Sequence, residues 1–251
     1  MTETKDALNI LVVGASSAIA AATARLYASG GARFFLVGRD TAKLSAIAED
    51  LAARGAPAVG IHVCDMSNAV AAGRILDHAR EALSGLDLVL VAHGDLGDPE
   101  ELRRDAAAVA QNIAVNYTSI ACLLTPIASH MEVARRGTIA VIGSVAGDRG
   151  RQSNYVYGST KAALHTFTSG LRNRLFKSGV HVVTIKPGFV ASPMTAKFKQ
   201  GFLYAQPESV ARDIHRAIER KTDVAYVPGF WRWIMLIIKS VPEVLFKRLN
   251  L

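Results

Sequence analysis

The chain has 251 residues, half of them hydrophobic, with two cysteines and a formal net charge of +8. That size supports one large core, while Cys64 and Cys122 are too few and too far apart for a disulfide framework or a zinc site, so a reducing, cytoplasmic setting and no bound metal are expected. Residues 1–185 hold 18 Lys/Arg and 16 Asp/Glu, whereas 186–251 hold 11 and 5, so most of the excess charge lies in the last quarter; a solvated face, an anionic substrate or an anionic membrane surface would each account for it, and nucleic acid is not expected because no basic recognition helix or aromatic–basic motif accompanies the charge.

The start, Met1–Ala7, is polar and carries Glu3 and Asp6. It has neither the basic beginning nor the apolar stretch of a signal peptide. No apolar run approaches the ~18 residues that suggest a membrane span. Strand then alternates with helix. Asn9–Val13 reads as strand, and Ser17–Ala28 as a helix marked by Ile19, Thr23 and Leu26. Phe34–Val37 is strand, and Thr41–Ala53 a helix with Leu44, Ile47 and Leu51 at helical spacing. Val59–Val63 is strand, Val70–Leu83 helix and Leu86–Val91 strand. A long helical region covers Glu100 to Arg135, broken near Gln111 and kinked near Pro126. Thr138–Ile142 is strand, Tyr155–Lys177 helix, Val180–Ile185 strand, Gln206–Lys221 helix and Val224–Val227 a short strand. Unbroken apolar strands separated by helices predict an α/β, doubly wound parallel sheet of about seven strands, covered on both faces, in a single domain over 1–251. Residues 192–221 are expected to form a substrate lid. Residues 229–249, with Trp231, Trp233 and interspersed bases, suit either an interfacial helix or a helix packed on the domain or on another subunit.

The densest chemical signal is Tyr157 and Lys161. Residues four apart share a helix face. An ammonium one turn from a phenol can lower its pKa and make it a usable proton donor. Upstream, Gly143-Ser144 closes an apolar run and places a hydroxyl at a strand end. Gly14-Ala-Ser-Ser-Ala18-Ile-Ala20 follows a strand and opens a helix, the position at which a pyrophosphate meets free N–H groups; Gly14, Ser16, Ser17 and Ile19 are the candidates there. Arg39 after the second strand favours a 2′-phosphate and so NADP(H) over NAD(H), with Asp40 as an alternative helix cap. Asp65, with Met66 beside it, ends the third strand and would face the adenine or cap the next helix.

Tyr157-x-x-x-Lys161, Ser144, Asn116 in Val115-Asn116-Tyr117, and Pro187-Gly188 after a strand fall together in one order and spacing. On these residues the chain resembles the short-chain dehydrogenase/reductase family over essentially its whole length. The resemblance implies a Rossmann-type sheet, a dimer or tetramer built on the long helices, and an active site of Asn116, Ser144, Tyr157 and Lys161. In it Ser144 would bind the substrate carbonyl, Tyr157 protonate the developing alkoxide, Lys161 bind the nicotinamide ribose, and Asn116 hold a water. Pro187, Gly188, Val190 and Ser192 would line the nicotinamide. The family's Asn-Asn-Ala-Gly segment reads Val91-Ala92-His93-Gly94, so Ala92, His93 and Gly94 would meet the ribose. Ala18 and Ala20 replace the family's glycines and are expected to weaken or shift pyrophosphate contact. Within the family, Val91–Leu102, Asn116-Tyr117-Thr118, Asn154–Ala162 and the Trp231–Leu249 tail are similar to the decaprenylphosphoryl-2-keto-ribose reductases, which implies a keto-sugar on a polyprenyl phosphate. A small soluble ketone, or a nucleotide-binding regulator without turnover, are the other readings.

Overall fold

A computed structural model describes residues 7–199 and 201–249. Met1–Asp6, Gln200 and Asn250–Leu251 lie outside the described residues, and with them Glu3, Asp6 and one position of the expected lid. Seven strands form one sheet: β1 (Asn9–Val13), β2 (Arg33–Gly38), β3 (Val59–Val63), β4 (Leu88–Val91), β5 (Thr138–Ile142), β6 (His181–Pro187) and β7 (Val224–Val227). Their order is β3-β2-β1-β4-β5-β6-β7, and every pairing is parallel. The chain thus builds outward from β1 in one direction and from β4 in the other. The crevice between β1 and β4 is the topological switch point.

The helices are α1 (Ala18–Ala28), α2 (Thr41–Ala53), α3 (Ala69–Ala82), α4 (Pro99–Leu102), α5 (Ala106–Ile113), α6 (Ser119–Ala134), α7 (Tyr155–Leu175), α8 (Pro207–Glu219), α9 (Trp231–Ser240) and α10 (Glu243–Phe246). Alternate residues of β1 serve opposite layers. Leu11 and Val13 join the core under α3, α6 and α7, while Ile10 and Val12 join the core under α1, α2 and α8. Apolar covering on both sides is why the strands show no polar alternation.

Several expectations shift. Of the residues expected to mark the α1 face, Thr23 is buried and Ile19 packs on the core, while Leu26 reaches the surface and Ala20, Ala24, Tyr27 and Ala28 complete the buried face. Small side chains let this helix lie close to the sheet and to α8. The long helical region is divided at Arg103–Asp105, where Asp105 caps α5 by accepting from the Ala107 N–H at 2.8 Å. Its irregular turn is a π-helical segment over Ala114–Thr118 and not a break near Gln111. α6 runs on through Pro126 to Ala134. By length and composition alone, Ala106–Ala134 is apolar enough to cross a membrane. Here Ile120, Leu123, Leu124, Ile127 and Met131 are instead fully buried in the core, which also holds the helix through its proline. β4 begins at Leu88, two residues later than expected. Of the span 192–221, residues 207–219 are α8, whose Val210, Ala211 and Ile214 are buried in the core; that leaves 192–206 as the candidate lid.

Leu124→Ala removes a fully buried side chain from the α6 layer. It should lower the unfolding free energy by about 2–5 kcal/mol, read from a urea transition.

Candidate active site

Every segment singled out in the sequence leaves the sheet at the same edge, the carboxyl ends of the strands. Gly14 follows β1, Arg39 follows β2, Asp65 follows β3, Ala92–Gly94 follow β4, Ser144 follows β5, and Gly188 follows β6. At the switch point the backbone of Gly14 has φ +80° and lies directly on His93, so a side chain at residue 14 would overlap the His93 main chain. Both constraints select glycine there. Ser17 starts α1 without a side-chain cap, and Ser16 is exposed. Ala20 is fully buried in the core, so its methyl faces the sheet rather than the helix opening. Ala18, in the first turn, is only partly buried.

Tyr157 and Lys161 lie on the buried face of α7, with Lys161 only 3% exposed. The Lys161 ammonium donates to the Ile142 carbonyl at 3.3 Å and sits 5.6 Å from the Tyr157 ring centre. Ser144 starts a short 3-10 turn, where its oxygen accepts from the Ala146 N–H at 3.1 Å, and its hydroxyl is close enough to the Tyr157 phenol to lower its pKa. Gly94 closes the constellation. A Cβ there would come within 2.8 Å of Asn116 Oδ1 and 3.3 Å of Lys161 Nζ. Tyr155, two residues before Tyr157, is 48% exposed and lies off this face. The four residues expected to act together are therefore neighbours at one crevice.

Asn116 sits in the π-helical segment, an irregularity that recurs at functional sites. Its Oδ1 accepts from the Asp95 N–H at 2.8 Å, and its Nδ2 donates to the Asp95 carbonyl at 2.7 Å and to Asn112. The whole amide is spent on fixing the chain after β4. Asn112, one turn earlier, donates to the same Asp95 carbonyl at 3.1 Å.

Burial dominates the electrostatics. It pushes the Tyr157 phenol up to about 12; the nearby Asp95 charge raises it further and only the Ser144 hydrogen bond lowers it. The expected acidification by Lys161 is not what sets this phenol. Lys161 is itself depressed to about 8 by burial. His93 falls to about 3, from burial first and the Lys161 charge second, and so is neutral. The Ser119 hydroxyl donates to the Val115 carbonyl at 2.8 Å, leaving its oxygen to accept from His93 Nε2 at 2.9 Å. His93 Nδ1 is then a bare acceptor, buried and without a partner in the protein.

The outer positions are mixed. Arg39 is exposed beside β2. Asp40 caps α2, accepting from the Lys43 N–H at 3.1 Å and pairing with its ammonium at 3.3 Å. Asp65 does not cap α3, since Asn68 does that; Asp65 accepts from the Ser67 N–H at 2.9 Å, which lowers its pKa. The Met66 side chain is buried in the core, leaving only its main chain toward the crevice. Ile19 and Ala92 pack partly on the core beneath the crevice, and Val190 is buried in it. Pro187 ends β6, and Ser192 opens a short capped turn through Thr195.

One set of residues escaped the sequence reading. Asp148, four residues after Ser144, is buried with Lys186 at 2.5 Å, Tyr226 at 2.6 Å and His165 at 3.5 Å. This cluster ties the Ser144 turn to β6, β7 and α7. Each member is an ordinary polar residue in sequence, and only the four-residue interval from Ser144 hinted at Asp148.

Fold and crevice together define a doubly wound oxidoreductase. Residues 8–201 match the short chain dehydrogenase family, and the chain belongs to that family. It is 33% identical to an uncharacterized oxidoreductase of Mycobacterium tuberculosis over 240 residues, 96% of each chain. It is 34% identical to one from Streptomyces coelicolor over 248 residues, covering 96% of this chain and 95% of that one. Among solved structures, a short-chain dehydrogenase from Sphingobium yanoikuyae in complex with NADPH superposes with a TM-score of 0.80 at 22% identity, covering 94% of this chain and 97% of that one. Levodione reductase superposes at 0.79 with 19% identity, covering 88% and 96%.

Because burial depresses Lys161 to about 8, its charge is present below that pH and lost above it. Reductive turnover should therefore decline as pH rises through about 8. Initial rates at saturating cofactor would show it, and a level profile to well beyond that point would remove the charge on Lys161 from the reaction.

Proposed function

We propose that this oxidoreductase reduces a ketone to an alcohol at the expense of NADPH, and that the ketone is a keto group on a sugar carried by a polyprenyl phosphate. The single observation that carries the chemistry is the meeting of Ser144, Tyr157 and Lys161 beside the β1–β4 crevice.

The residues at that crevice fit a dinucleotide. Gly14 lets the chain turn into α1 directly against His93, and His93 Nδ1 is a buried acceptor awaiting a donor such as a ribose hydroxyl. Gly14, Ser16, Ser17 and Ile19 would hold the pyrophosphate; Ala92, His93, Gly94, Tyr157 and Lys161 the nicotinamide ribose; and Pro187, Gly188, Val190 and Ser192 the nicotinamide. Asp65 and the Met66 main chain would meet the adenine. The carboxylate of Asp40 is committed to Lys43, which leaves Arg39 to receive a 2′-phosphate and favours NADP(H). When bound, the nicotinamide supplies hydride to the carbonyl carbon.

The chain's own groups do the rest. Ser144 donates a hydrogen bond to the substrate carbonyl oxygen and so orients it toward Tyr157. A phenol held at about 12 stays protonated at neutral pH, as a donor must, and its proton goes to the oxygen as negative charge develops there. Lys161, charged below about pH 8, stabilises the phenolate left behind. Asn116 acts through the main chain it fixes, holding Gly94 and Asp95 against the crevice. A relay water would rest on main-chain groups, since the side-chain amide is already used.

The lipid-linked sugar is supported by the narrower sequence similarity and by the basic, apolar C-terminal segment. The outward residues of α5 and α6 are mostly small, which suits a homodimer or homotetramer. The proposed setting is the cytoplasm, with the C-terminal segment at the inner face of the membrane.

Tyr157→Phe should reduce turnover by about 10²–10⁴-fold or more while weakening NADPH binding far less, by the loss of one ribose contact in a fluorescence titration; undiminished turnover would refute the assignment. Arg39→Ala should weaken NADPH binding by about 10- to 150-fold and leave NADH binding nearly untouched, as a charge-assisted phosphate contact is worth roughly 1.5–3 kcal/mol.

A further inference from the structure

We infer that the outward face of α9 docks on an anionic lipid bilayer. The inference rests on the membrane-face part of the proposed function and not on the reductase chemistry. α9 carries two apolar faces. The inner one, Trp231, Ile234, Met235 and Ile238, packs on Val145 beside the catalytic serine and secures the helix. The outer one, Trp233, Leu236 and Ile237, repeats the i, i+3, i+4 spacing, yet is 63%, 54% and 68% exposed.

Phe230, Val244, Leu245 and Leu249 extend the exposed apolar surface along the same segment. Isolated apolar residues at a surface are ordinary. A continuous run of them at helical spacing is a contact surface. Arg232, Lys239, Lys247 and Arg248 are interleaved with it, all exposed. The one acid in this stretch, Glu243, is already paired with Arg149 at 2.9 Å, so the patch is cationic without internal compensation. A second copy of the same patch would set bases against bases. An anionic headgroup layer satisfies both the charge and the aromatic and aliphatic side chains.

The segment is also held for presentation. Arg149 donates to the Ile238 carbonyl at 2.7 Å and the Val241 carbonyl at 2.5 Å, with its guanidinium 3.7 Å from the centre of the Phe246 ring. This ties down the end of α9 and keeps the outer stripe turned outward. At the other end Trp231 lies against Gly188 so closely that a Cβ there would overlap its indole nitrogen. A docked α9 therefore holds the β6 loop, and the crevice beside it, at a set place relative to the lipid.

The full chain should co-sediment with mixed phosphatidylcholine–phosphatidylglycerol vesicles, fail to do so with phosphatidylcholine alone, and be released by salt. The double variants Trp233→Ser/Ile237→Ser and Arg232→Glu/Lys239→Glu should each lose about tenfold or more in vesicle affinity at unchanged circular dichroism and NADPH affinity. Wild-type protein that ignores anionic vesicles, double variants that bind as well as wild type, or a dimer abolished by the same substitutions without any vesicle binding would each overturn the inference. Vesicle binding is read without turnover. Loss of ketone reduction alone would count against the reductase reading, and loss of vesicle binding alone against this one.

Discussion

The structure turns on an ammonium taken out of water. Lys161 is almost fully buried, and the burial that depresses it to about 8 represents roughly 3 kcal/mol against charging. Its contacts are a strand-end carbonyl and the edge of a phenol. No carboxylate pairs with it among the described residues. A site of this kind is poised toward an incoming polar partner. The same burial keeps the neighbouring phenol protonated, so desolvation prepares the donor while leaving the amine beside it charged only below about pH 8.

The architecture delivers these groups to one place. Parallel strands all end at one edge, so six short segments separated by many residues converge there. The π-helical turn at Asn116 adds what a regular helix would not. It lets one amide grip the chain after β4 from both sides, with Asn112 reinforcing it. Behind the serine turn, the buried Asp148 cluster and the Arg149 contacts to α9 fix the loop from within.

Most of the fold was legible because both sheet faces are covered. Strands that are apolar after their first residue, such as Asn9–Val13 and Thr138–Ile142, point directly to burial. The Tyr157–Lys161 interval, Ser144 and Gly14 were legible because each needs a residue type at a spacing that local geometry enforces. Three things were not. On α1 only Leu26 misled, because alanines beside Thr23 fill the core there. The turn at Ala114–Thr118 is decided by tertiary contacts of Asn116, and Pro126 is tolerated because the buried stripe around it outweighs one missing hydrogen bond. The direction of the Tyr157 perturbation depends on burial, which a spacing argument does not contain.

The two tryptophans of the chain lie two residues apart on opposite sides of α9. Trp231 is 2% exposed, with its indole nitrogen unpartnered against Gly188, and Trp233 is 63% exposed. One indole consequently reports on the interior beside the crevice, and the other on whatever meets the outer surface. The molecule carries its own pair of optical sensors, distinguishable by quencher access, for events on its two sides.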